Sequence, residues 1–482
     1  MRLYRLFFSA LALIAVQTAK GEAKPDQMSI TFEIAQVNRR QYDVKTFQSG
    51  EAFFQNRTYQ FIRTPKQFEG FQFISSWGGN EDHGVIIPDA DGTVYVLGPK
   101  GGLAGWEAED NAELTYMANA LTYASVYRKK VTAGQRLEIR SEKGNFIGIS
   151  PLAAKINLKV LPAGKEARLR GIMIDGVEVE NFMPEEERRT HYLPYTYNGV
   201  PKIEATGFTK GITYSITQQA TNIHGNDRER SVLITSFSPD SSVVRKYSVQ
   251  YVVVPRMDIF VCIGQSNMAG YSPIDIEKGD LEPVKNAFLL NGKGVFEALK
   301  NPLNRYSNVR GNIYGQQGLT YAFAKTLSTV WDRPIGFVVN AKGGSSINSW
   351  TKGASDQFYG KTFARIEEAK KWGDVKAVLW HQGERDRMEY TVYPEKLRQL
   401  VTDLRKDLGN ESLLFIAGQI GEWMPGAKPF NDMIATISSF IPNTAYVRTN
   451  KLTNADNAHF DRESALLLGE RYAAEVLRYF SK

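Results

Sequence analysis

Residues 257–270 read MDIFVCIGQSNMAG, and this stretch decides how the second half of the chain is interpreted. Its first part is almost wholly apolar, a pattern typical of a strand buried on both faces of a sheet. The strand runs into Gly264, Ser266 follows at once, and Gly270 permits a tight turn. A buried strand that ends at a small residue and presents a hydroxyl can hold a nucleophile at the edge of a sheet. An ordinary turn is the alternative interpretation.

Apolar strand candidates recur after this stretch, and segments with the helical period separate them. In two such segments the apolar residues fall on one helix face, from Leu397 to Leu408 and from Ala465 to Tyr479. This alternation predicts an α/β domain with a mostly parallel sheet, helices on both faces, and ligands at the carboxyl ends of the strands. The further strand candidates are PIGFVVNA (334–341), VKAVLWHQG (375–383), SLLFIAGQIG (412–421) and TAYVRTN (444–450).

A serine hydroxyl is a poor nucleophile unless a base removes its proton and a third group orients that base. His459 is the best candidate for the base of Ser266, because it lies just before the last helical segment with Asp456 three residues earlier. At this spacing in a loop, Asp456 can fold back on Nδ1 of the imidazole and leave Nε2 for the serine. A local turn made by Asp456, with an incidental histidine, is the alternative.

Acyl transfer also needs hydrogen-bond donors aimed at the oxyanion of the transition state. NAKGGSSINSW, residues 340–350, follows a strand candidate and offers backbone N–H groups at Gly343 and Gly344, which have no Cβ to block a substrate. WHQGERD, residues 380–386, follows another strand candidate, and the side-chain amide of Gln382 can donate. A glycine pair alone is weak evidence, since a phosphate-binding loop or a plain turn is about as common.

Four blocks stand in one order along the chain, namely GQSNMAG (264–270), AKGGSSINSW (341–350), WHQGERD (380–386) and DNAHF (456–460). They resemble the blocks of the SGNH hydrolase superfamily. The resemblance is closest to its carbohydrate-esterase branch, which holds sialate O-acetylesterase-like and acetylxylan-esterase-like domains, and it covers residues 256–482. It implies a three-layer α/β/α fold with a parallel sheet, and a serine esterase that works through an acetyl-serine intermediate.

The resemblance also implies the roles of individual residues. Ser266 would be the nucleophile, His459 the base and Asp456 its orienting acid. The oxyanion hole would consist of the Ser266 backbone N–H, a glycine of the 343–344 pair (Gly343 or Gly344) and Gln382.

Two residues of the third block leave the interpretation open. Glu384 is a rival of Asp456 for the acid role, and the sequence does not decide between them. Arg385 stands where the family usually has a small residue, often serine. It would add positive charge at the edge of the pocket and favour an acidic sugar, whereas a surface ion pair with Asp386 is the alternative.

Two strand-rich regions precede this domain. Residues 27–162 predict a β-rich domain, in which only the stretch NAELTYMANAL (111–121) weakly indicates a helix. Residues 165–254 contain several short strand candidates separated by turn residues, which predicts an immunoglobulin-like β-sandwich. The aromatic residues that could form a sugar platform, although core positions are more common for them, are Trp77, Trp106, Tyr195 and Tyr197.

Residues 1–23 have the order of a secretory signal peptide, with Arg2 and Arg5, the apolar run LFFSALALIAV, and then small residues. The run is about half of the roughly 20 apolar residues that a membrane-spanning helix needs, and a buried first helix is the alternative. We therefore expect an exported chain with no transmembrane segment after cleavage. Its location would be the periplasm, the cell surface or the medium.

Charge and cysteine content narrow the classes of protein further. The chain has 59 Lys and Arg against 52 Asp and Glu, a formal charge of +7, and the charges are mixed rather than clustered, which argues against nucleic acid. The only cysteine, Cys262, lies in an apolar strand, so neither a disulfide within the chain nor a catalytic thiol is expected. No residue pattern indicates a metal or an organic cofactor.

Together these patterns predict an exported serine esterase that removes O-acetyl groups from a carbohydrate, either a plant polysaccharide or a sialic acid glycan. The competing hypotheses are a carbohydrate-binding protein that keeps the fold without turnover, and a lipid or aryl esterase. The complete set of serine, histidine and acid argues against the binding protein. A lipid esterase would have a long apolar groove.

Overall fold

The computed structural model describes residues 24–481, apart from 36–41, 56, 77–82, 100–102, 104, 118–120, 141–150, 276 and 311–315. The predicted signal peptide and Trp77 lie outside the described residues. Within these ranges, no helix is both long enough and apolar enough to cross a membrane.

Buried apolar side chains of the described residues form five cores. Two lie within residues 30–156, one within 169–251 and two within 254–476. The predicted domain boundaries stay predictions.

The N-terminal part consists of strands packed around two of these cores. The strands are β1 (Ser29–Ala35), β2 (Asp43–Thr46), β3 (Gln60–Arg63), β4 (Gln72–Ser75), β5 (His83–Pro88), β6 (Gly92–Pro99), β7 (Glu107–Met117), β8 (Leu121–Val131), β9 (Leu137–Arg140), β10 (Pro151–Leu152) and β11 (Lys155–Leu161). They form sheets in the orders β11–β1–β5–β9, β10–β6–β8–β7–β3 and β2–β4. The weak helix prediction for residues 111–117 is wrong. These residues end β7, and every second side chain, at Ala112, Leu114 and Tyr116, is buried, which is the period of a strand.

The next part is a two-sheet β-sandwich around a single core. Its strands are β12 (Leu169–Ile174), β13 (Val177–Glu178), β14 (Arg188–Pro194), β15 (Ile203–Gly207), β16 (Thr213–Gln218), β17 (Ser231–Phe237) and β18 (Val244–Val254). The two sheets have the orders β13–β12–β15 and β14–β18–β17–β16, and both contribute buried side chains to the core. The immunoglobulin-like assignment of this sandwich stays a prediction.

The aromatic residues considered as a sugar platform belong to different parts of the molecule. Trp106 is buried in a core of the N-terminal part, as the core alternative expects. Tyr197 packs against the sandwich core, and its hydroxyl donates to Asp175 at 2.6 Å. Tyr195 is exposed, with the Arg256 guanidinium 5.8 Å from its ring centroid.

The C-terminal part is built on one sheet. Its strands are β19 (Met257–Gly264), β20 (Ala287–Leu290), β21 (Phe296–Ala298), β22 (Ile335–Ala341), β23 (Gly373–His381), β24 (Leu414–Gly418) and β25 (Thr444–Val447). They follow the order β21–β20–β22–β19–β23–β24–β25. All pairs are parallel except β20 with β21, so the sheet is mixed rather than wholly parallel. The strand quoted at the outset, β19, is central, and every one of its residues is buried.

Helices cover both faces of this sheet. They are α1 (Ser266–Ala269), α2 (Leu319–Val330), α3 (Phe358–Lys370), α4 (Tyr393–Leu408), α5 (Ala427–Ala435), α6 (Ile437–Phe440) and α7 (Arg462–Phe480). Because side chains alternate along a strand, Val261 and Ile263 join a core with α3, α4 and α5, whereas Phe260 and Cys262 join a core with α2 and α7. The result is the predicted three-layer α/β/α arrangement.

The sandwich contacts one edge of the C-terminal sheet. The Glu180 carboxylate accepts a hydrogen bond from the Gly292 backbone N–H at 2.5 Å, and the rings of Tyr192 and Phe288 are 5.0 Å apart. Phe288 lies on β20, which is two strands away from β19 in the sheet. The sandwich therefore supports the edge of the sheet and leaves its centre for the candidate site.

Candidate active site

Ser266 begins the one-turn helix α1 directly after β19. Gly264 has a φ of 141°, and a Cβ there would lie 2.1 Å from the carbonyl oxygen of His381 on the neighbouring strand β23. Gly270 has a φ of 97°, and its N–H donates to the Ser266 carbonyl oxygen at 2.9 Å. Both positions require glycine, so the stretch GQSNMAG forms a sharp turn with Ser266 at its start.

Asp456 and His459 form a hydrogen-bonded pair in the loop before α7. Oδ2 of Asp456 lies 2.7 Å from Nδ1 of His459, and Oδ1 accepts the backbone N–H groups of Ala458 and His459 at 2.8 Å. Partial burial raises the pKa of Asp456, but the hydrogen bonds from His459 and from these backbone groups lower it overall. The structure thus brings Asp456 onto Nδ1 of His459, the arrangement that their spacing predicts.

Glu384, the rival acid, contacts a different set of groups. Its Oε1 accepts a hydrogen bond from Nδ2 of Asn267 at 2.5 Å and lies 3.6 Å from Nε2 of the fully buried His381. Burial raises the pKa of Glu384, but its contacts with His381 and Asn267 lower the pKa overall. Asn267 also donates to the Ala458 carbonyl oxygen at 3.1 Å. Among the described residues, Asn267 is therefore the hydrogen-bonded link between Glu384 and the loop of His459.

Gln382 lies behind the cleft rather than in its wall. Its side chain is completely buried, and Nε2 is 2.6 Å from Oδ2 of Asp386, 3.0 Å from the Ser345 carbonyl oxygen and 3.2 Å from Oε1 of Gln265. Its Oε1 accepts a hydrogen bond from the Tyr393 hydroxyl at 2.7 Å. This placement corrects the prediction that the amide is an oxyanion donor, because fixed acceptors of the scaffold already occupy its N–H groups.

Ser266, His459 and the pair Gly343 and Gly344 line one cleft of about 440 Å³. The cleft lies at the carboxyl ends of β19, β22 and β23, where ligands bind in open α/β sheets. A larger cleft of about 630 Å³ opens beside Gly373, at the amino ends of the strands, and contains none of the predicted site residues. The predicted nucleophile, base and glycine pair therefore meet at the smaller cleft.

Two arginines at the rim give this cleft positive charge. Arg385 is exposed, and among the described residues no carboxylate lies within ion-pair distance of it. The alternative of an ion pair with Asp386 is wrong, because Asp386 is buried and accepts hydrogen bonds from Gln382 and from the Ile347 backbone. Arg387 donates only to carbonyl oxygens, including that of Glu384 at 2.6 Å.

Sequence reasoning missed Asn267 and Tyr271. Asn267 follows the nucleophile directly, and its Oδ1 accepts the Phe460 backbone N–H at 3.2 Å, so it links the first and fourth blocks. Its place inside the first block was a usable signal. Tyr271 lines the cleft and stacks on His459, and the sequence contains no signal for that contact because it joins distant segments.

The described part of the chain contains no group of three or more His, Cys, Asp and Glu side chains that could hold a metal ion. Cys262 is completely buried in β19, and burial raises the pKa of its thiol to about 12. The thiol is therefore protonated at neutral pH and unsuited to act as a nucleophile.

A family model and a curated protein each match about half of this chain. Residues 256–478 match the family described as carbohydrate esterase, sialic acid-specific acetylesterase. A probable carbohydrate esterase from Arabidopsis thaliana is 28% identical over 247 residues, which cover 47% of this chain and 93% of that protein. The C-terminal part is thus an SGNH-type carbohydrate-esterase domain, which confirms the resemblance seen in the four blocks.

Solved structures give low superposition scores. A structure of the Arabidopsis thaliana protein has a TM-score of 0.41 at 27% identity, and covers 47% of this chain and 100% of that chain. A carbohydrate acetylesterase from Xanthomonas citri has a TM-score of 0.36 at 13% identity, and the match covers 84% of this chain and 72% of that chain. An acetyl xylan esterase from the rumen bacterium Butyrivibrio proteoclasticus has a TM-score of 0.29 at 9% identity, and the match covers 92% of this chain and 99% of that chain.

Proposed function

We propose that this protein is an exported carbohydrate O-acetylesterase with Ser266 as its nucleophile. One observation carries the proposal: a single cleft is lined by Ser266, by the glycine pair at 343–344 and by His459, whose Nδ1 is hydrogen-bonded to Asp456. A nucleophile, an oriented base and backbone donors in one place are the parts that acyl transfer requires. The match of residues 256–478 to a family of carbohydrate esterases supports an acetylated sugar as the substrate.

In the proposed reaction, Nε2 of His459 removes the Ser266 proton as the hydroxyl oxygen attacks the acetyl carbonyl carbon. The backbone N–H groups of Ser266 and of the glycine pair donate to the oxyanion. His459 then gives its proton to the sugar oxygen as the C–O bond breaks, which leaves acetyl-serine and a free sugar alcohol. His459 next deprotonates water as it attacks the acetyl carbonyl carbon, and then gives that proton to the Ser266 oxygen as the acyl C–O bond breaks, which releases acetate and restores Ser266. Asp456 stabilises the imidazolium in both steps.

The test is acetate release by the wild type, by Ser266→Ala and by the control Ser412→Ala, whose serine is exposed and far from the cleft. The substrates are acetylated xylan, pectin, mannan, a sialoglycoconjugate and a small aryl acetate. We expect release by the wild type and the control, and no measurable release by Ser266→Ala. If the folded wild type released no acetate from any of them, the esterase proposal would fail, and glycan binding without turnover would replace it.

The charge of Arg385 and Arg387 favours a sugar that carries a carboxylate near its acetyl group, in either of the two carbohydrate classes. Replacing Arg385 with serine removes an exposed positive charge, so we expect KM to rise by about two- to fivefold on acetylated pectin or a sialoglycoconjugate. KM on neutral acetylated xylan should not change. An equal rise in KM on acidic and neutral substrates would show that Arg385 does not recognise the charge of the sugar.

Export is the part of the proposal that depends on residues 1–23. In a bacterial host that expresses the full chain, we expect the periplasmic or medium fraction to contain a protein whose sequence begins near residue 24. Amino-terminal sequencing and fractionation measure this. A chain that retains residues 1–23 and stays inside the cell would contradict export without affecting the esterase chemistry.

A further inference from the structure

The ring of Tyr271 lies flat against the imidazole of His459. The ring centroids are 4.5 Å apart and the planes are inclined by 12°. Tyr271 is half-buried, lines the same cleft as Ser266, and follows the glycine that ends α1. The segment that presents the nucleophile therefore also supplies a flat surface for the base.

Hydrogen bonds on both sides of Tyr271 fix this segment to the loop of His459. The Ser272 hydroxyl donates to the Phe460 carbonyl oxygen at 2.8 Å. On the other side, Asn267 donates to the Ala458 carbonyl oxygen and accepts the Phe460 N–H. The stack is thus held by contacts that precede and follow both rings, rather than by the rings alone.

The ring of Tyr271 adds two effects that the hydrogen bond between Asp456 and His459 provides only in part, namely stabilisation of the imidazolium and a fixed orientation of the imidazole. The Asp456 side chain is 58% exposed, so water screens its attraction to the imidazolium that forms during acyl transfer. A single contact at Nδ1 also leaves the imidazole free to tilt about that hydrogen bond. An aromatic face on the ring restricts the tilt, and its negative π surface attracts a cation.

The hydroxyl of Tyr271 has separate surroundings. A Cβ at Gly343 would stand 2.8 Å from the phenolic oxygen, so the hydroxyl lies against the glycine loop and only the ring lies against His459. Substitution by phenylalanine removes the first contact and keeps the second. The two contacts can therefore be tested one at a time.

We propose that Tyr271 is a positioning residue whose ring face orients the imidazole of His459 and stabilises its protonated form during acyl transfer. The inference rests on the proposed esterase function. The other charged groups around His459 are Asp456 on Nδ1, and Glu384, Arg385 and Arg387 across the cleft. All of them remain in the variants described next, so a change between variants reports the ring of Tyr271.

The experiment measures kcat/KM for the aryl acetate as a function of pH in the wild type, Tyr271→Phe and Tyr271→Leu. A matched control is Tyr214→Leu, which replaces an exposed tyrosine of the sandwich. We expect Tyr271→Phe and the control to stay within about twofold of the wild type. Tyr271→Leu should lose about 3- to 30-fold, the range expected for a cation on an aromatic face.

The position of the acidic limb of the pH profile separates positioning of the base from a general loss of structure. If the ring stabilises the imidazolium, its removal makes the base lose its proton at lower pH, so the midpoint of that limb should fall by about half a pH unit. The midpoint does not depend on the fraction of enzyme that is folded, so partial misfolding of Tyr271→Leu does not obscure it.

Three results would overturn the inference. They are an unchanged acidic limb in Tyr271→Leu, a limb that moves to higher pH, and a loss in Tyr271→Phe as large as that in Tyr271→Leu, which would assign the effect to the hydroxyl. In each case activity of the wild type and its absence in Ser266→Ala would keep the proposed function intact. The two proposals can therefore fail independently.

Discussion

Two acidic residues beside the nucleophile lie in opposite environments. Asp456 is 58% exposed, and its carboxylate bonds only within its own short loop, to His459 and two backbone N–H groups. Glu384 is 3% exposed, and its carboxylate contacts the buried His381 three residues earlier and Asn267 of the distant helix α1. A direct contact with the base suits an acid that assists turnover, whereas contacts with the interior suit an acid that supports the site. The sequence motifs do not distinguish these two roles, whereas the contacts of the two carboxylates do.

The largest expected effect comes from Asp456→Asn. The amide keeps the shape of the carboxylate but favours the wrong imidazole tautomer and carries no charge, so kcat should fall by about 10²- to 10⁴-fold. Initial rates with the small aryl acetate measure the change, and the midpoint of thermal unfolding serves as the control because the side chain is exposed. Retained activity here, together with its loss in Glu384→Gln, would make Glu384 the orienting acid.

Next in size is the effect of Gln382→Leu on stability. Leucine removes the nearer acceptor of the Tyr393 hydroxyl and one of the two donors to Oδ2 of Asp386, so the free energy of unfolding should fall by about 2–4 kcal/mol. Denaturant unfolding followed by tryptophan fluorescence measures it. Gln399→Leu, on the exposed face of α4, is the matched control and should stay within about 0.5 kcal/mol of the wild type. A loss of kcat without a loss of stability would restore Gln382 as an oxyanion donor.

Glu384→Gln should have a smaller effect. Its new amide oxygen still accepts from Asn267, but the charge that attracts His381 is gone, so we expect a loss of about 1–2 kcal/mol in the free energy of unfolding. The value of kcat should fall by less than about tenfold, since the Asp456 and His459 pair is untouched. A fall in kcat as large as that of Asp456→Asn would remove the distinction between the two acids.

The smallest effect is the pH dependence of stability. The pKa of Asp456 is lowered in the folded state, so its contribution is fully present above the pKa of about 3.9 that it has when unfolded. That contribution is lost as the pH falls through the lower, folded value. The difference in unfolding free energy between the wild type and Asp456→Asn should therefore shrink between about pH 5 and pH 2. A difference that grew over this range would contradict the lowered pKa.

Local features of the fold and site were accessible from the sequence. The α/β architecture follows from strand and helix periods, and the hydrogen bond between Asp456 and His459 spans only three residues. The contacts of Gln382 were not accessible, because two of its acceptors, Gln265 and Ser345, belong to distant segments that only the folded sheet brings next to it.

Elsewhere, local patterns pointed to the wrong structure for the same reason. Good helix formers suggested a helix around Leu114, but burial of alternate side chains against the neighbouring strands makes it part of β7. Arg385 and Asp386 are adjacent in sequence and of opposite charge, yet Asp386 turns inward to the Gln382 amide and the Ile347 N–H. In both cases contacts with residues that are not adjacent in sequence outweighed the local pattern.

The central position of β19 in its sheet also has a consequence for the order in which the strands are synthesised. Both neighbours of β19, the strands β22 and β23, are made after it, and His459 follows Ser266 by roughly 190 residues. At about 5–20 residues per second, a ribosome takes roughly 10–40 s to add that length of chain. Early in this interval the nascent chain contains the serine but neither strand that pairs with β19, and the base is missing until the interval ends. Hydrolytic activity should therefore appear only after His459 has been made, and until β22 and β23 follow, the unpaired, apolar β19 is a segment that chaperones would need to protect.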